Sequence, residues 1–184
     1  MRIGQVIRFH NEGFFGGAVQ LGWVQQHVDL ARQAAEAFVF HGPHYHSADK
    51  SEHEGIDSAY RLKDTASFVR DLLGSMRAGA EGREENPYWL VVAGYGSGKS
   101  HLALTCATLL SEPDGEVAQA ILQQISRADP EIGETVAEHM AAMEKPALVL
   151  PLDGMGRFHL GNALSQAVFA QLSRFDVSAE PIRD

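Results

Sequence analysis

The stretch Tyr88-Trp89-Leu90-Val91-Val92-Ala93, followed directly by Gly94-Tyr95-Gly96-Ser97-Gly98-Lys99-Ser100, carries the reading of the fold. The first six residues form a continuous apolar run rich in β-formers, entered through the breaker pair Asn86-Pro87, and they predict a strand buried on both faces. From Ser100 onward, Leu102, Cys106, Leu109 and Leu110 recur at helical spacing until Glu112-Pro113-Asp114-Gly115 ends the pattern. Between strand and helix lies a glycine-rich segment of the Walker A type, Ala93 standing where the strict motif has glycine.

The residue types in that segment suit one chemistry. Gly94, Gly96 and Gly98 open backbone angles closed to other residues, so that successive N–H groups can turn inward on an anion at a helix N-terminus. Lys99 is expected to reach the β- and γ-phosphates of a nucleotide as a point charge, and the Ser100 hydroxyl to ligate Mg²⁺. Tyr95, Ser97 and His101 complete the candidate binding set, Tyr95 at the loop tip facing either nucleotide or solvent.

Outward from this segment, the pattern beyond residue 88 reads β-α-α-α-β-α. Val117, Ile121 and Ile125 mark one helix. Ile132, Val136, Met140 and Met143 mark another beyond Asp129-Pro130. Ala147-Leu148-Val149-Leu150-Pro151-Leu152 predicts a second strand. A last helix follows with Leu160, Leu164, Val168, Leu172 and Phe175 on one face. The fold class predicted is α/β: a parallel, helix-flanked sheet of the P-loop NTPase kind. Only two strands read clearly, whereas doubly wound nucleotide folds have about five or six. The expectation is therefore a partial core, with the acid-bearing Walker B strand encoded beyond residue 184.

N-terminal to the core, Ile3–Phe9 and Ala18–Val24 are β-prone runs separated by glycine-rich turns around Phe14-Phe15, which predicts a hairpin or small sheet. A helix is expected over His27–Phe40 on Val28, Ala31, Ala35, Phe38 and Val39. Another is expected from Thr65 to Arg77 with Asp64 as N-cap and Phe68, Val69, Leu72, Leu73 and Met76 on one face. The division expected is an N-terminal region over 1–62 and a nucleotide-binding core over 63–184.

Composition bounds the function. Lys and Arg number 15 against 24 Asp and Glu, a net charge of −9, which disfavours nonspecific nucleic-acid binding through overall charge. The one cysteine, Cys106, excludes an internal disulfide and reads as a small buried apolar residue. Arg2 and Arg8 precede no apolar signal core, and no run approaches a membrane span, so a cytoplasmic protein without membrane association is expected. His41, His44 and His46, with His53 nearby, have spacings that can chelate zinc. They lack a cysteine or a second defined ligand pair, and exposed or structural histidines are the competing reading.

Hydrolysis needs more than a cradle: an acid for the Mg²⁺ shell and a group that orients water. The candidate acid is Asp153, at the end of the second predicted strand. The alternative for Asp153 is a turn or helix-start residue, and Pro151 restricts that strand toward a sheet edge.

Three segments carry a family resemblance: Phe38-Val39-Phe40-His41-Gly42-Pro43, Asp64-Thr65-Ala66-Ser67-Phe68, and Val91 through Leu102. Together they resemble the N-terminal region of the large P-loop ATPases of bacterial phage-defence and DNA-modification systems, of the BREX, DISARM and DNA-phosphorothioation types. The resemblance implies a multidomain ATPase that uses ATP and Mg²⁺ in DNA modification or antiviral defence. Its partners would be other proteins of such a system, and DNA would be met only indirectly or through further domains. Gly94 to Ser100 carry over residue by residue, with Lys99 as the catalytic lysine. Two other functions fit the same loop: a nucleotide-gated scaffold that does not hydrolyse, and a small-molecule kinase, for which no lid segment is visible.

Overall fold

In the computed structural model the described residues are 17–46, 63–83, 88–152 and 159–174. They form seven α-helices: α1 (Trp23–Gln26), α2 (Val28–Glu36), α3 (Thr65–Ala80), α4 (Lys99–Ser111), α5 (Glu116–Ala128), α6 (Pro130–Ala141) and α7 (Leu160–Arg174), with a 3₁₀ turn at Pro43–His46. No strand and no sheet occur among them, which overturns the parallel-sheet α/β expectation. The hairpin residues 1–16, the acid Asp153 and Phe175 lie outside the described residues.

The helices follow from spacing and caps. Asp64 begins α3 by accepting the Ser67 N–H at 2.8 Å, and Asp129 begins α6 by accepting the Ile132 N–H at 3.0 Å, with Pro130 in the first turn. One face of α3 puts Val69 and Leu73 in the core. Ile121 and Ile125 of α5, and Ile132, Val136 and Met140 of α6, join them there. The α5–α6 crossing is close. A Cβ on Gly133 would come within 2.6 Å of the Ser126 Cα, so this position accepts only glycine without a shift.

The centre of the molecule is α4. Its Leu102, Cys106, Leu109 and Leu110 belong to the main core with α3, α5 and α6, while Leu104 and Ala107 pack with Val24, Ala31 and Ala34 of α1 and α2. A helix apolar on both sides must be enclosed on both sides. The hydroxyls it buries are satisfied within it: Thr105, Thr108 and Ser111 donate to the carbonyls four residues back at 2.8–2.9 Å. Burial also pushes the Cys106 thiol up to about 12, in line with its reading as a core residue.

The two runs predicted as strands carry no regular secondary structure and join no ladder among the described residues. Along the first, exposure alternates, with Tyr88, Leu90 and Val92 at 84%, 88% and 69% and Trp89 and Val91 at 37% and 44%. Trp89 is held by Phe68 (ring centroids 5.5 Å apart, edge-to-face) and by Lys63 over its ring at 4.9 Å. Along the second, the Ala147 N–H donates to the Leu110 carbonyl at 2.9 Å and Val149 packs on the core, while Leu148 and Leu152 remain exposed. β-Propensity describes fit to a neighbouring strand, and with helices already filling the core neither run has one among the described residues.

Three further expectations are corrected. Ala18–Val24 is not a strand: residues 18–20 are irregular, a turn follows, and α1 starts at Trp23. The helix expected to Phe40 stops at Glu36, beyond which Phe38 and Phe40 still enter the core while Val39 is 67% exposed. Helix α7 forms, but its buried positions are Ala167 and Gln171, whereas Leu160 and Leu164 face out. The Gln25 side-chain amide donates to the Ala167 carbonyl at 3.4 Å, which places this turn against α1.

No helix among the described residues is long and apolar enough to cross a membrane.

Candidate phosphate site

The loop over residues 94–98 is built by a turn and two left-handed glycines. The Ser97 N–H meets the Gly94 carbonyl at 3.4 Å, closing a four-residue turn with Gly96 in third position at φ 75°. Gly98 at φ 84° is the N-cap of α4 and supplies no side-chain cap. Of the three glycines of the loop, Gly96 and Gly98 have positive φ and Gly94 does not. A Cβ at any of the three would meet nothing within 4 Å, so their glycines answer to backbone angle or to open space, not to neighbouring protein.

Lys99 folds back across this loop. Its Nζ donates to the Ala93 carbonyl at 2.8 Å and the Gly94 carbonyl at 2.7 Å, with the Ser97 hydroxyl at 3.4 Å. The ammonium has three protons, and all three have neutral acceptors from the loop itself. Lys99 therefore closes the loop, and it carries a full positive charge at the α4 N-terminus, where the helix dipole adds to it. Ser100 is exposed, and Tyr95 at the loop tip is fully exposed.

The His101 side chain runs to α2, where Nε2 lies 2.5 Å from the Ala34 carbonyl oxygen and the ring stands edge-to-face on Phe38. Residues 94–101 are therefore brought together by the turn and the helix start, except that the His101 ring is engaged elsewhere. This contact is not legible in the helical periodicity of the sequence. Its signal lay in the apolar Phe38 and Phe40, once the end of α2 is known.

The loop is open. A cleft of about 590 Å³ lies instead between α3 and α6, lined by residues such as Leu73, Met76, His139 and Met143, and none of its lining residues belongs to the loop. The histidine cluster is partly described: His41 stacks on Tyr45 with ring centroids 3.9 Å apart, and no group of three or more ligating residues able to hold a metal ion occurs among the described residues.

Compared with protein-family models, with curated proteins and with solved structures, the chain matches none.

Proposed function

We infer that this chain binds the polyphosphate of ATP, with Mg²⁺, on residues 94–100. One observation carries the reading: a glycine turn with left-handed Gly96 and Gly98 leads into a helix without a side-chain cap, and Lys99 is folded over that same turn. Uncapped first-turn amides are donors suited to an anion, and Lys99 can exchange a carbonyl partner for a phosphate oxygen without moving its backbone. The exposed Ser100 hydroxyl is an oxygen ligand of the kind Mg²⁺ takes. Bound Mg²⁺ would supply charge neutralisation between phosphate oxygens, and the chain's own residues would hold and orient the triphosphate.

As an enzyme the chain would be an ATPase. Service in DNA modification or antiviral defence, alongside the other proteins of such a system, rests on the resemblance of the 38–43, 64–68 and 91–102 segments alone. The competing non-hydrolysing scaffold is favoured by one feature: among the described residues, the hydrogen-bond partners of Lys99 are neutral groups.

Equilibrium titrations with ATP, GTP and ADP, each with and without Mg²⁺, test the binding reading on the chain and on Lys99→Ala. Saturable Mg²⁺-dependent binding of ATP that is lost in Lys99→Ala supports it. Equal affinity in the two proteins contradicts it. Single-turnover hydrolysis of bound ATP then separates ATPase from scaffold.

A further inference from the structure

His101 occupies the first turn of α4 directly after Lys99 and Ser100, yet its side chain is committed to another helix. Because the Ala34 carbonyl accepts, Nε2 must carry a proton; the same carbonyl also accepts from the Ala37 N–H, at 3.1 Å, where α2 ends. The ring lies against Phe38 with centroids 5.0 Å apart at 82°, and Phe38 in turn meets Phe40 at 4.8 Å and 68°. Both phenylalanines are buried. On its own helix, the His101 carbonyl accepts the Thr105 hydroxyl at 2.9 Å. The first turn of α4 can shift along its axis only by breaking a hydrogen bond to α2 and moving a ring out of an aromatic pack.

We propose that His101 is a positioning residue for the phosphate loop. It pins the first turn of α4 to the C-terminal end of α2, fixes the direction of the turn's amides and of the Lys99–Ser100 pair, and couples phosphate occupancy to the order of residues 34–38. The inference rests on the phosphate-site reading above. A cradle gains affinity when its donors are held in place before the ligand arrives, and the hydrogen bond to Ala34 does this from outside the loop.

The test uses Mg·ATP as probe with the full chain, His101→Leu, His101→Gln and Lys99→Ala. Leucine fills the space without a donor; glutamine restores a donor at similar reach. The expected result is about tenfold weaker binding in His101→Leu, the scale of one well-made hydrogen bond, with at least half of that loss, on a logarithmic scale, recovered in His101→Gln. Binding within twofold of the unmodified chain in His101→Leu, or equal weakening in Leu and Gln, overturns the proposal. Hydrogen exchange of the unmodified chain needs no variant to fold: Mg·ATP should slow exchange at the amides of residues 35–38, and protection confined to residues 94–104 overturns the coupling. Loss of binding in Lys99→Ala with none in His101→Leu removes the positioning role and leaves the phosphate site standing. An unmodified chain that does not bind ATP removes both.

Discussion

At Gly98 the chain needs a left-handed backbone, and the open space around its missing Cβ means that nothing else dictates glycine there. Gly98→Ala should therefore cost about 1–2 kcal/mol of stability through backbone strain alone, read as a lower urea midpoint at unchanged slope. An unchanged midpoint would show that the loop does not need that angle. Cys106 gives a second reading at this scale. With its thiol held protonated by burial, iodoacetamide should leave it unmodified at pH 8 in the folded chain and label it readily in denaturant. Fast labelling of the folded chain would place Cys106 at the surface. The sequence pointed to both residues, but it grouped Gly94 with the left-handed glycines because a motif lists positions without saying which angle each adopts.

Among the elements, the longer helices α3 to α7 were legible, whereas the short α1 and the strand-like runs were not. Helix α3 illustrates the first case: Asp64 caps it, Val69 and Leu73 bury one stripe, and both facts are local, set by residues three or four apart. Asp64→Ala should accordingly destabilise the chain by about 1 kcal/mol, measured by chemical denaturation, with Asp64→Ser restoring most of it. No effect from the alanine variant would mean that the buried Ser67 amide finds another partner. The run Tyr88–Ala93 illustrates the second case, because a strand is defined by a neighbour that its own residues cannot specify. Helix α7 lies between these: its 3.6-residue pattern gave its existence, yet the positions it buries are Ala167, whose carbonyl meets the Gln25 amide of α1, and Gln171, while Leu160 and Leu164 are exposed.

At the scale of the molecule, a helical core built on α4 stands among the described residues in place of the sheet that the strand-like runs suggested. This arrangement makes a sharp contrast between two leucines. Leu90 is 88% exposed and Leu109 is 1% exposed, so Leu90→Glu should change stability by no more than about 0.5 kcal/mol while Leu109→Ala costs about 2–5 kcal/mol. A cost of several kcal/mol at Leu90 would place that run in a buried layer and contradict the helical arrangement. The loop leads into this frame, since α4 is enclosed by both clusters and the His101 ring of its first turn is hydrogen-bonded to α2.

The central claim, that residues 94–100 form a phosphate cradle carried on this frame, is tested most directly by the thermal unfolding of the chain with and without Mg·ATP. Ligand at a hundred times its Kd stabilises the folded state by about 2.7 kcal/mol, which for a chain of this length raises Tm by about 5–10 °C. The account predicts that rise in the unmodified chain, growing with the logarithm of ATP concentration, and none in Lys99→Ala. A Tm that ignores Mg·ATP in the unmodified chain, or an equal rise in Lys99→Ala, would contradict it.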